Sequence, residues 1–259
     1  MAKTIGITYE KGGVGKTTTA VNVSAILASN GYRVLLVDAD PQSYATSYYD
    51  LYSEAHPSLY DVMSRRLPVK EAIRETSVLN LHLLPARYEL EAVETDLAAL
   101  SFGQEFVLRE ALEPIADDYD FIIIDCPPAG VRMKTNVLTA ANYLILPTIP
   151  DDYAVQGLMQ ISQRIGLLRR YANPHIEVLG VLITMDEQTA NKKAYKEALR
   201  EQPLFPCFDQ TIRKNTTLSE AINSHKPICQ YRRHALGSKD YHAFTMELLE
   251  VIKNVENQS

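Results

Sequence analysis

Lys11-Gly-Gly-Val-Gly-Lys-Thr-Thr18 follows the extended run Lys3-Thr-Ile-Gly-Ile-Thr8 and precedes a helical pattern that begins near Lys16. Strand, glycine-rich turn and helix, in that order, are the setting of a phosphate-binding loop. Gly12, Gly13 and Gly15 lack Cβ atoms, so successive backbone N–H groups, that of Val14 among them, can turn toward one anion. The following helix adds the partial positive charge of its N-terminus, and Thr18 completes the first turn. Lys16 adds a full charge, and the Thr17 hydroxyl is placed to ligate Mg²⁺. The ligand these groups imply is a nucleoside triphosphate.

Outward from the loop, short apolar runs bounded by turn residues read as buried parallel strands: Val34–Val37, Leu81–Leu84, Phe121–Ile124, Tyr143–Leu146 and Val178–Ile183. Amphipathic stretches alternate with them at Thr17–Ser29, Glu89–Leu100, Glu105–Ile115, Thr135–Ala141, Ala154–Tyr171 and Thr189–Glu201, with a last helix over Tyr241–Val255. The alternation predicts an α/β fold: one doubly wound, mostly parallel sheet with helices on both faces. Pro41, Pro127, Pro128, Pro147 and Pro150 follow predicted strands, at the carboxyl ends where ligands bind in open sheets. No repeat, linker or low-complexity segment interrupts residues 1–259, so a single domain is expected.

Composition narrows the function classes. With 46% hydrophobic residues the chain can fill a core, which excludes general disorder. Cys126, Cys207 and Cys229 form no Cys-x-x-Cys pair, as expected for a reduced cytoplasmic protein without structural zinc or disulfides. No apolar stretch approaches ~18 residues, and the first strand opens at residue 3, so neither a membrane span nor a signal peptide is expected. The net charge is −6, but ten Lys/Arg against six acids between Glu187 and Asp240 make that part +4 and leave −10 for the rest.

Two carboxylate sites stand at strand ends. Phe121-Ile-Ile-Ile-Asp125 is an apolar strand closing on an acid, which places Asp125 beside the loop and suits it to hold Mg²⁺ through water. Val37-Asp38-Ala39-Asp40-Pro41-Gln42 closes the second strand in the same way.

The octapeptide departs from the usual Gly, four residues, Gly-Lys-Ser/Thr: counting back from Gly15 reaches Glu10, and a second lysine, Lys11, precedes the glycine pair. In this the sequence resembles the deviant-Walker ATPases of the ParA/MinD family. The resemblance runs on through Tyr143-Leu-Ile-Leu-Pro147, Tyr153-Ala-Val-Gln-Gly157 and Thr211-Ile-Arg213, nearly the whole chain. It implies ATP with Mg²⁺, and a homodimer formed on ATP binding in which Lys11 reaches the phosphates of the partner subunit. It makes Lys11, Lys16 and Asp40 the catalytic set, with Asp40 positioning the attacking water and Asp38 supporting Asp125 near the metal. It also offers Thr184, Asp186 and Ile212 as adenine contacts, although no local spacing demands them.

Within that family the last helix carries acids at 247, 250 and 256, unlike a Lys/Arg-rich interfacial helix, so no membrane attachment is expected. The remaining match is the ParA/Soj branch, which implies nucleoid association through non-specific DNA binding by the ATP dimer, and ATPase stimulation by a ParB-like partner. Lys192, Lys193, Lys196, Arg213, Lys214, Arg232 and Arg233 are the candidate DNA surface. No helix-turn-helix is expected before the first strand. A MinD-like positioning ATPase on a membrane or protein scaffold, and a hydrolysis-deficient nucleotide-gated module, stay open as alternatives. Three features lie outside the family pattern: Glu10, read as regulatory or as a solvated acid pairing with Lys11; Tyr44, Tyr48 and Tyr52, spaced for one packed helical face; and Cys126, read as a small buried residue.

Overall fold

The strands of the computed structural model, which describes residues 1–258, are β1 (Lys3–Ile7), β2 (Val34–Asp38), β3 (Arg74–Glu75), β4 (Leu81–Leu84), β5 (Phe121–Asp125), β6 (Tyr143–Thr148) and β7 (Glu177–Ile183). They form one sheet in the order β3-β4-β2-β5-β1-β6-β7, parallel except for the short antiparallel edge of β3 on β4. From the central β1 the chain first builds outward through β2 and then, after β5, crosses to the other side for β6 and β7. That reversal opens a crevice at the carboxyl end of β1, where the glycine-rich loop lies.

The helices are α1 (Lys16–Ser29), α2 (Tyr44–Tyr48), α3 (Leu59–Met63), α4 (Val69–Ala72), α5 (Val93–Ala98) and α6 (Val107–Leu112). There follow α7 (Val131–Ala140), α8 (Ala154–Tyr171), α9 (Ala190–Glu201), α10 (Thr216–Asn223), α11 (Ile228–Tyr231) and α12 (Leu236–Gln258). The two-residue period of a strand sorts them into layers. Phe121 and Ile123 of β5 point with Val34 and Leu36 into a core closed by α1 and α12. Ile122 and Ile124 point the other way, with Leu35 and Val37, onto α3, α5, α6 and α7. Leu144, Leu146, Val181 and Ile183 complete that face against α8. Every β5 residue is buried, which is why the run reads as continuously apolar up to its terminal acid.

Helix α1 is buried from Thr19 through Ala28, packed between the sheet and α12, where the Thr19 hydroxyl meets the Tyr241 hydroxyl at 3.2 Å. It stops at Gly31, whose φ of +91° suits a residue without Cβ. Helix α12 turns Tyr241, Phe244, Leu248 and Ile252 inward, with the Phe244 ring edge-on to Phe208 at 4.9 Å, so its apolar stripe is consumed by the core. No helix among the described residues is long and apolar enough to cross a membrane.

Several boundaries differ from expectation for physical reasons. The Glu89–Leu100 stretch splits into a 3₁₀ turn over Tyr88–Ala92 and the short α5. Its successor ends at Leu112 because Pro114 sits in a 3₁₀ turn over Glu113–Ile115. Helix α7 starts at Val131, ahead of Thr135, since the Glu94 carboxylate accepts from the N–H groups of Arg132 (3.2 Å) and Met133 (2.9 Å). That is a cap supplied by another helix and invisible to local spacing.

Candidate functional site: a phosphate cradle between two strand-end acids

Strand register brings the site together. Ile7, the last residue of β1, pairs with Asp125, and Asp125 pairs with Asp38 across the β5/β2 ladder. The loop therefore leaves the sheet directly beside two carboxylates. Gly13 (φ +73°) and Gly15 (φ +88°) adopt the left-handed conformation that a Cβ would strain. Gly15 stands at the N-terminus of α1 without a side-chain cap, and no N–H from Gly12 to Thr18 donates to another described residue. This array of free donors at the start of a 14-residue helix is an anion site.

Lys16 is buried behind the array, its Nζ donating to the Lys11 carbonyl at 3.2 Å. Burial pulls its pKa down, while the charges of Asp125 and Asp40 push it up. Asp38 is fully buried and well partnered: Oδ2 accepts from the Thr46 N–H (2.8 Å) and hydroxyl (2.7 Å), and Oδ1 from the Asp40 N–H (3.2 Å). Burial still raises its pKa to about 6. Asp40, 7% exposed, accepts from the Gln42 N–H at 2.9 Å; burial raises its pKa and Lys16 lowers it.

Asp125 is different. It is 1% exposed, and neither carboxylate oxygen has a hydrogen-bond partner of acceptable geometry among the described residues. Burial, and then the charge of Asp38, drive its pKa well above the carboxylate range; the neighbouring Thr17 hydroxyl and Lys16 oppose them. A buried carboxylate without donors is a group awaiting a cation. The next residue, Cys126, is buried with its thiol pushed up to about 11, as suits a small core residue and not a nucleophile.

Above the cradle opens a cavity of about 370 Å³. Gly13, Gly15, Lys16, Thr17, Thr18 and Asp40 form its floor; Tyr44, Tyr48, Pro128, Met185 and Ile222 form its walls. The three adenine candidates lie around this cavity but turn elsewhere. The Thr184 hydroxyl donates to the Val14 carbonyl at 2.8 Å, bracing the loop from behind. Asp186 binds Lys196 Nζ (2.9 Å) and the Thr211 hydroxyl (2.8 Å) through Oδ2, and the Ile212 side chain is in the core. Met185, between two of them and in the left-handed region at φ +49°, is the residue there that faces the cavity. No sequence pattern singles it out.

The tyrosines do not share one packed face. Helix α2 ends at Tyr48, and Asp50 with φ +56° turns the chain before Tyr52; Tyr44 and Tyr52 are exposed and, of the three, Tyr48 alone is buried. The reading of Glu10 as a solvated acid pairing with Lys11 is corrected as well. Lys11 Nζ binds Asp151 at 2.5 Å, and Glu10 binds Lys134 Nζ at 2.9 Å and Arg164 Nε at 3.5 Å. Asp151 and Lys134 carried no motif, and only the folded chain brings them to the loop.

The basic candidates are scattered in their commitments. Lys192 donates to the Pro150 carbonyl (2.8 Å), Lys196 is held by the buried Asp186, and Arg213 by the buried Asp240 at 2.5 Å. Lys214 pairs with Glu187 at 3.0 Å and Arg232 with Glu220 at 3.8 Å, both on the surface. Lys193 and Arg233 are exposed with no side-chain partner among the described residues.

The fold and the loop together define a P-loop nucleotide-binding protein. A family described as AAA domain matches residues 2–178. The chain is 37% identical to the sporulation initiation inhibitor protein Soj of Bacillus subtilis, over 93% of this chain and 96% of that one. It is 36% identical to the chromosome partitioning protein ParA of Myxococcus xanthus, over 96% and 89%. Among solved structures it is similar to cobyrinic acid a,c-diamide synthase from Mycobacterium smegmatis with bound ADP and magnesium, at 29% identity, a TM-score of 0.85, and coverage of 98% and 96%. The chain belongs to the ParA/MinD family of P-loop ATPases, on its ParA partitioning side.

Proposed function

We propose that the protein is a dimerising ATPase for DNA partitioning, which binds DNA non-specifically as its ATP dimer and is stimulated by a ParB-like partner. The observation that carries the dimer reading is the position of Lys11. The loop's interior charge is already supplied by Lys16, whereas Lys11 lies outside the cradle with its side chain about half exposed and tethered to Asp151. A lysine so placed has a resting counter-ion in its own chain and, half exposed, is available to a second subunit.

Each part of the cradle then has a task. The N–H groups from Gly12 to Thr18 and the Lys16 ammonium bind the β- and γ-phosphates. Mg²⁺, when bound, is held by the Thr17 hydroxyl and, through water, by Asp125, with Asp38 behind it, and it neutralises charge on the phosphates. Asp40, in the floor of the pocket, orients the attacking water; phosphoryl transfer asks for positioning more than for a strong base. Met185 and Ile222 are the apolar walls available to the adenine, alongside the backbone around Thr184, Asp186 and Ile212.

Of the candidate cations, Lys193 and Arg233 have no side-chain partner among the described residues, and Lys214 and Arg232 are in surface pairs exposed enough to be exchanged for phosphates, whereas Arg213 is committed to the buried Asp240. The consumed apolar face of α12 supports DNA over a lipid surface as the partner. The test is a gel shift on random-sequence DNA with Asp40→Ala protein, run with and without ATP·Mg²⁺. A shift that needs ATP supports the reading, and none at low salt refutes the DNA part. Liposome co-sedimentation of the same protein is expected to be negative.

A further inference from the structure

Glu10 places a carboxylate one residue before Lys11, beside a site built for a polyanion, and the structure gives that acid two unusual partners. Lys134, from α7, is only 7% exposed at its side chain and donates to Glu10 Oε2 at 2.9 Å; Arg164, from α8, approaches Oε1 at 3.5 Å. Glu10 itself is 22% exposed and lines a 310 Å³ cavity that continues past Lys11 to Asp151. Three elements thus meet at one carboxylate: the start of the loop, the helix after β5, and the helix after β6.

Charge makes this more than a brace. A buried lysine needs a counter-ion, and an acid adjoining a phosphate site needs to be neutralised, so each residue answers the other's cost. Lys134 is joined to the cradle through the chain itself: it holds Glu10, and the carbonyl of the next residue, Lys11, accepts from the Lys16 ammonium at 3.2 Å. We propose that Glu10, Lys134 and Arg164 form a charge clamp that sets nucleotide affinity: the two cations turn the Glu10 carboxylate away from the phosphates and leave the cluster with a net positive charge. Glu10 is accordingly a positioning residue for the loop, acting through Lys134. The inference rests on the nucleoside triphosphate reading of the cradle.

The clamp makes opposite predictions for its two ends. In Lys134→Met the freed carboxylate repels the triphosphate; in Glu10→Gln the cluster gains a unit of positive charge while its cations lose their partner. Titration with a fluorescent N-methylanthraniloyl ATP and Mg²⁺ at low salt is expected to show Kd raised about fivefold in Lys134→Met and lowered about threefold in Glu10→Gln. Thermal denaturation is expected to show both single variants destabilised, and the double variant is expected to return to within about twofold of the parent Kd. A purely structural brace would weaken binding in both single variants, and that result overturns the proposal, as does an unchanged Kd in folded Lys134→Met. Should Lys134→Met not fold, Arg164→Gln carries the same test at a more exposed position: weaker binding that Glu10→Gln relieves supports the clamp, and weaker binding that it deepens refutes it. A parent protein that binds no ATP analogue refutes the nucleotide reading itself, whereas a binding parent with unmoved variants refutes only the clamp.

Discussion

Asp125→Asn should make the nucleotide-free protein more stable while removing its response to Mg²⁺. Asp125 is buried with both oxygens unpartnered, so its charge is a standing cost of the folded state. Asp38 gives the scale: even with three hydrogen bonds, burial lifts it from 3.8 to about 6, roughly 3 kcal/mol of strain at neutral pH. Asp125 lacks those bonds but has Lys16 nearby, and the net relief from neutralising it is put at about 2 kcal/mol. For a chain of this size that is a rise of about 4–8 °C in Tm. The pH dependence follows from the direction of the shift. The folded pKa lies above the unfolded one, so the cost is absent below about 3.8, grows as pH rises between the two values, and is complete above the folded pKa. Acidifying from neutrality should therefore stabilise the parent more than Asp125→Asn. The assay is differential scanning calorimetry of both proteins across pH, with and without ATP and with and without Mg²⁺. The parent should gain further stability when Mg²⁺ is added to ATP, and the variant should not. An Asp125→Asn protein less stable than its parent without ligand would refute the reasoning, because Asp125 would then be a satisfied structural acid.

Thr46→Val removes the hydroxyl that donates to Asp38 and accepts from the Ala86 N–H, and is expected to cost about 2–3 kcal/mol in chemical denaturation; Thr46→Ser should recover most of it. Lys196→Met leaves the buried Asp186 without its cation and should lower Tm by several degrees, on the order of 2 kcal/mol. Lys193→Ala should leave Tm unchanged and weaken the ATP-dependent DNA shift, with a shallower salt dependence by about one unit of slope.

The parts of this molecule legible in its sequence are those fixed by periodicity and local spacing. Phe121-Ile-Ile-Ile-Asp is apolar at every position because both faces of β5 are covered, and its terminal acid falls beside the loop because parallel register aligns strand ends. The loop itself is legible because Gly13 and Gly15 take conformations that other residues resist. What escaped were contacts between segments far apart in the chain. The cap on α7 comes from Glu94, the counter-ion of Lys11 from Asp151, and that of Glu10 from Lys134, 124 positions away. The basic region between Glu187 and Asp240 reads as one surface by composition, yet Asp186 and Asp240 draw Lys196 and Arg213 into structural pairs. Tyr44, Tyr48 and Tyr52 kept helical spacing beyond the end of a helix that stops at Tyr48.

The central claim is that Lys11 converts a nucleotide pocket into an ATP-dependent dimer. Light scattering coupled to size exclusion, on Asp40→Ala and on Asp40→Ala/Lys11→Ala with saturating ATP·Mg²⁺, tests it most directly. The account predicts a doubled mass for the first protein and a monomer that still binds ATP for the second. A monomeric Asp40→Ala protein, or a dimer that forms equally well without Lys11, would contradict it.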